Sequence, residues 1–175
     1  MTPADQYAPF LTIAREAIAS ALQGLLYEPP VVSNIIDAPR GVFVTLRKPD
    51  GELRGCIGHI RPRYDKLSKE VAEVAVLSAV ADHRFKRLSL EEFLQTDIEI
   101  SILEPLESVK DKNELDPKVF GVVVQTPRNQ GVLLPDIAGI DTVDQQLEVV
   151  RHKAGISAQE NITMQRFRVS KLCEA

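Results

Sequence analysis

The chain has no tryptophan and only two cysteines among 175 residues. Cys56 and Cys173 lie far apart and make no paired framework, so a reducing, cytoplasmic setting is expected. Together with His59, His83 and His152 they show no zinc-type ligand spacing, and no metal site is expected. No run approaches the ~18 apolar residues needed to span a bilayer, so no membrane partner is expected. Residues Met1 to Phe10 lack the basic start and apolar core of a secretory signal. Gly55-Cys56-Ile57-Gly58 has neither the length nor the following Lys-Ser/Thr of a phosphate-binding loop. The formal net charge is −4. A general binder of nucleic-acid backbones carries a basic stripe instead. Only a local cluster remains for that role: Arg47, Lys48, Arg54, Arg61, Arg63 and Lys66.

What is present suits one globular domain. Apolar residues make up 44% of the chain, enough for a core, and charged residues 26%, enough for a solvated surface. Thr2 and Pro3 read as the cap and first residue of a helix. Its buried face runs through Phe10, Ile13, Ala14, Ala17, Ile18, Ala21, Leu22 and Leu25. A hairpin follows, from Gly41–Leu46 through a Lys48-Pro49-Asp50-Gly51 turn to Glu52–Ile60. A second helix is predicted over 65–81, and Ser89-Leu90-Glu91-Glu92 is a capping pattern that opens a short third one. Asp97–Leu103 alternates as a strand with Ile98, Ile100 and Ile102 inward. A hairpin over 119–134, a helix from Asp141 or Thr142 to Gly155, and one strand over 163–172 complete the chain. Local hairpins with helices between them predict an α+β fold with a largely antiparallel sheet flanked by helices.

The stretch Leu53-Arg54-Gly55-Cys56-Ile57-Gly58 is the candidate site. Two glycines around one thiol indicate close backbone approach or a bulge. Strand alternation puts Val42, Val44, Leu46, Leu53 and Ile57 on one face. Phe43, Thr45, Arg47, Arg54, Cys56 and Gly58 then share the other, with no side chain at Gly58 to block approach. A hydroxyl, two guanidiniums and a thiol together suit a small anionic or carbonyl ligand. Cationic neighbours favour the thiolate, which is the nucleophilic form, so Cys56 is the candidate catalytic residue. Against this, cysteine is among the most buried residue types and usually packs as a small hydrophobe. A base is also needed within reach. His59 falls on the opposite face by parity, while His83 follows the second helix. Asp82 and Glu99 are candidate acid and base or simply solvated, and Arg84-Phe85 is a ligand clamp or a helix anchor.

These residues resemble the AMMECR family, named for the Alport syndrome, midface hypoplasia, intellectual disability and elliptocytosis chromosomal region. The resemblance rests on Gly41–Leu46, Leu53–Gly58, Asp82-His83-Arg84-Phe85, Glu99–Leu103, Gly131–Pro135 and Lys153–Gly155, in order across nearly the whole chain. It implies two lobes, the larger with both termini and a smaller one inserted, and a cleft between them lined by the hexapeptide. The family usually has proline at the position of His83, which removes His83 from any shared mechanism. Its biochemical activity is not established. In prokaryotes its members look like partners of Memo-type and radical S-adenosylmethionine proteins. No cofactor is indicated. Three functions follow in order: a small-ligand site or enzyme component at Leu53–Gly58, a protein-interaction module, and nucleic-acid binding through 47–66.

Overall fold

In the computed structural model the described residues are 7–33 and 36–174. They fall into two compact units, one running up to Ile102 and resuming at Ser170, the other Leu103–Val169. The expected cap at Thr2 lies outside the described residues.

The first unit holds helices α1 (Pro9–Leu22), α2 (Leu67–Val80) and α3 (Leu90–Phe93). Its strands are β1 (Val42–Arg47), β2 (Leu53–His59), β3 (Asp97–Leu103) and β8 (Val169–Cys173), in spatial order β2-β1-β3-β8. β1 pairs antiparallel with both β2 and β3. The inward isoleucines of β3 are fully buried with Val42, Val44 and Leu46 against Phe10, Ile13 and Ile18 of α1 and Leu67, Val71 and Val74 of α2. Each such side chain contributes about 1.5–3 kcal/mol relative to exposure.

Helix α1 stops earlier than its apolar spacing predicts. Gly24 adopts φ +72°, and the Leu25 amide donates to the Ser20 carbonyl while the Gly24 amide donates to Ala21. This six-to-one pairing satisfies carbonyls left open at the helix end and turns the chain out, so Leu25 is 60% exposed instead of buried. Helix α2 takes its N-terminal partner from a distance: buried Asp37 accepts from the Ser68 amide at 2.6 Å and the Ser68 hydroxyl at 3.0 Å.

The second unit contains β4 (Glu107–Val109), β5 (Gly121–Gln125), β6 (Gln130–Leu133), α4 (Val143–Ala154) and β7 (Thr163–Phe167). Its sheet runs β4-β7-β5-β6, with β7 antiparallel to β4 and β5, and β5 antiparallel to β6. Thr142 and Gln145 form a reciprocal cap on α4, and left-handed Gly155 ends it, as the sequence predicts. The single strand expected over 163–172 is two strands in different sheets. Arg168 lies between β7 and β8, with its carbonyl taking the amide of Glu104. Alternation alone shows no break there, because both halves remain extended. The short strand β4 had no sequence signal.

α2 approaches β2 closely at Gly55, where a Cβ would lie 2.2 Å from the Ser78 carbonyl oxygen. Above it the Ser78 hydroxyl accepts the Ile57 amide at 3.0 Å and donates to the Val44 carbonyl at 2.8 Å, linking two register partners through the helix. Gly55→Ala is expected to lower stability by about 1–3 kcal/mol through overpacking against backbone, read as a reduced urea midpoint with an unchanged slope.

Candidate functional site

Strand β2 lies at the edge of its sheet, so one row of its backbone groups has no strand to pair with. At Cys56 that row is satisfied by side chains. The Cys56 amide donates to Asp82 Oδ2 at 2.9 Å, and Arg84 Nη2 donates to the Cys56 carbonyl at 3.3 Å. Arg84 also grips Asp82 with two prongs, Nε to Oδ1 at 2.9 Å and Nη2 to Oδ2 at 2.7 Å. The Asp82 side chain is 3% exposed and that of Arg84 48%. The Arg84 hydrogen bond, reinforced by the Cys56 and Arg84 amides, holds the Asp82 carboxyl well below the usual range against its burial. Asp82 in turn raises the pKa of Arg84.

Because the Cys56 backbone groups face the edge, Cys56 and its partner Thr45 form a pair whose side chains approach closely. The Thr45 hydroxyl donates to Cys56 Sγ at 3.2 Å, and the cysteine is partly buried. Glu99 is the partner of Thr45 on β3, which makes a row Cys56–Thr45–Glu99 across three strands. Glu99 draws Arg47 Nε to 3.8 Å, Lys171 Nζ to 3.3 Å and Cys173 Sγ to 3.9 Å. Burial, then the charge of Glu99, pushes the Cys173 thiol up. Two cations thus share one carboxylate on this face.

Thr45, Cys56, Arg47 and Glu99 are therefore brought together, and Asp82, Arg84 and Phe85 join them at the strand edge. Arg54 departs from the expected arrangement. The register slips between Leu46 and Arg47, so that Leu46 faces Gly55 and Arg47 faces Leu53, leaving Arg54 without a partner on β1. Its side chain is 8% exposed and is committed to Glu92, through Nε at 2.5 Å and Nη2 at 3.0 Å, and to the Lys86 carbonyl. The hydrogen bond from Arg54 holds Glu92 below its usual pKa. Phe85 lies between two guanidiniums, 5.7 Å from that of Arg54 and 5.6 Å from that of Arg84. Arg54 anchors the 82–92 segment to the hairpin through Nε and Nη2.

Gly58 also differs from the open position expected of it. A Cβ there would lie 2.1 Å from the Phe43 ring, which covers the glycine. Gly55 serves the approach of α2 and faces away from Cys56. His59 lies on the helix side, as parity predicts, with Nδ1 2.5 Å from the buried Glu70 carboxylate. His83 is exposed. Of the basic cluster, Arg54 is buried, while Arg47 and Lys48 pair with Glu99 and Glu52. Residue patterns place Phe43 on the Cys56 face but do not single out Glu92, Ser78 or Lys171. Glu92 stood in a capping pattern that drew attention to its backbone position and not to its charge. Among the described residues no cluster of histidine, cysteine and acids could hold a metal ion, and no helix is long and apolar enough to cross a membrane.

Comparison with known proteins matches residues 11–172 to the AMMECR1 family model. A Clostridium acetobutylicum protein is 37% identical over 167 residues, covering 93% of this chain and 35% of that protein. A Thermotoga maritima protein is 43% identical over 132 residues, 75% of this chain and 76% of its own length. The crystal structure of an uncharacterized protein from Pyrococcus horikoshii matches with a TM-score of 0.89 and 29% identity, covering 98% of this chain and 92% of that one.

A carboxyl with a lowered folded pKa stabilises fully above the unfolded value of about 4, and the contribution is lost as pH falls through the folded value. Asp82→Asn is therefore expected to cost about 1–3 kcal/mol at neutral pH and to flatten the loss of stability below about pH 4. Urea unfolding followed by circular dichroism across that range checks both.

Proposed function

This chain belongs to the AMMECR1 family, and on that premise we propose that the face around Thr45 and Cys56 binds a small anionic ligand. The observation that supports this reading most is the clamp on Cys56. Asp82 and Arg84 fix the strand backbone at the residue that carries the thiol, and the Arg84 side chain remains half exposed beside it. Among the described residues Arg84 Nη1 has no acceptor, so it is available to a carboxylate or phosphoryl oxygen. Arg47 and Lys171 bring two further cations to the same face, against the carboxylates of Glu99 and of Asp97, the strand partner of Arg47.

Binding is favoured over nucleophilic catalysis. An attacking cysteine needs a base, and the polar group on Cys56 Sγ is the Thr45 hydroxyl, while His59 is engaged with Glu70 on the other side of the sheet. A second reading makes the chain an interaction module for a Memo-type or radical S-adenosylmethionine protein. It is supported by the Clostridium relative, in which the matched region is only 35% of a longer polypeptide.

In a Cys173→Ser background, iodoacetamide is expected to label Cys56 in the folded protein. At least one of phosphate, sulfate or a short carboxylate should slow labelling, and Arg84→Ala should remove that protection. Labelling that occurs only after unfolding, or that no anion slows, would refute the anion site. For the second reading, purified Memo-type protein should co-elute with this chain on size-exclusion chromatography; separate elution rejects it.

A further inference from the structure

The outer edge of β2 is closed at Cys56 and open one step further on. In an antiparallel strand the amide and carbonyl of every second residue turn to the same side. The register against β1 is continuous from Cys56 to His59. Since the Cys56 groups face outward to Asp82 and Arg84, those of Gly58 face outward too. Among the described residues no strand and no loop backbone pairs with them. An amide and a carbonyl therefore stand open about 7 Å along the edge from the clamp. Open backbone groups on an edge strand are a template for another extended chain.

Two neighbours of this gap select what fills it. Arg84 meets the Cys56 carbonyl at the near end of the gap, and its side chain is 48% exposed. Phe43 is the β1 partner of Gly58, and its ring lies across the face of that glycine, where a side chain would stand, and not along the edge. The pairings of β1 with β2 and β3 are antiparallel. A chain that joins β2 in the same sense runs from Gly58 toward Cys56, so its carboxyl-terminal end arrives at Arg84. In the parallel sense its amino terminus would arrive there and meet a guanidinium of like charge. An inorganic anion would leave the Gly58 carbonyl open. An edge, a ring and one guanidinium are not the concave walls of a small-molecule site, so the end of a longer chain fits them better.

We infer that the edge of β2 at Gly58 takes the carboxyl-terminal tail of another protein, added antiparallel, with its terminal carboxylate on Arg84. This rests on the anion site proposed above, the anion being that carboxylate. The penultimate residue of the tail lies opposite Gly58. Its amide donates to the Gly58 carbonyl, and its carbonyl accepts from the Gly58 amide. The last residue carries the carboxylate about 3.4 Å further along the edge, to a charge-assisted pair with the guanidinium. Directly opposed residues share a face of the sheet, so the penultimate side chain falls beside the Phe43 ring and an apolar one is favoured. Main-chain pairing supplies affinity, and the terminal charge fixes register and direction.

The test titrates the full chain into the tetrapeptide Ala-Ala-Phe-Ala, labelled with fluorescein at its amino terminus, and follows anisotropy. The free acid should bind saturably, and its carboxyl-terminal amide about tenfold more weakly or worse. N-methylation of the Phe nitrogen removes the donor to Gly58 and should cost a similar factor. Arg84→Ala should weaken the acid as much as amidation does, and amidation should cost nothing more in that variant, as expected of one shared interaction. The same four residues at the carboxyl terminus of a carrier protein should bind at least as tightly as the free peptide. Equal affinity for acid and amide, an N-methyl peptide as good as its parent, or a carrier fusion that does not bind would each overturn the assignment. So would absence of saturable binding to the unmodified chain. Acetate protection of Cys56 from iodoacetamide, measured alongside, separates the two readings. Arg84-dependent protection without peptide binding overturns the tail and leaves the anion site, whereas loss of both removes the anion site as well.

Discussion

An edge strand whose backbone is held by side chains is the constraint on which the candidate site depends. Among the described residues β2 has β1 on one side and no strand on the other. Left open, its outer amides and carbonyls would be solvated or would recruit another strand. Asp82 and Arg84 meet them at Cys56 and tie the loop after α2 to the hairpin. Because Arg84 also neutralises Asp82 with two hydrogen bonds, a nearly buried carboxylate is kept charged without an uncompensated desolvation cost. The same grip leaves part of the guanidinium outward. One arrangement therefore stabilises the strand and places a cation beside a thiol.

A second layer of long-range contacts supports that clamp. Arg54 and Glu92 hold the 82–92 segment, with the Phe85 ring between the guanidiniums of Arg54 and Arg84. On the other side of β2, Gly55 admits the backbone of α2, and Ser78 joins the amide of Ile57 to the carbonyl of Val44. The hexapeptide is thus gripped from two directions. One glycine of the pair serves helix packing and the other lies beneath Phe43, while the partly buried Cys56 takes the hydroxyl of buried Thr45. Both glycines have packing roles.

Much of this was readable from residue patterns. Alternation placed Ile98, Ile100 and Ile102 in the core and set Cys56 beside Thr45 and opposite His59. Thr142 and Gly155 bounded α4 because capping and left-handed turns depend on residues within four positions. The failures share a different cause. Leu25 was assigned to the apolar face of α1 by its spacing, but the Gly24 turn ended that periodicity first. The extended run from 163 to 172 hid a change of sheet, since strand character carries no information about which partner is adjacent. Arg54 shared parity with Cys56, yet one slip of register at Leu46 and Arg47 detached it from that set.

By itself the sequence determined the α+β class, most helix and strand positions, the turn at Gly51, and a cysteine flanked by glycines on the return strand of a hairpin. These are consequences of dihedral preference and side-chain period, which act over a few residues. Only the tertiary structure decided which acid meets which arginine and what covers Gly58. The charge partners stand on different elements or across a turn, and hydrogen-bond geometry at about 3 Å discriminates among them. Local patterns name the groups that can pair. The packing of helices against the sheet selects the pairs that form.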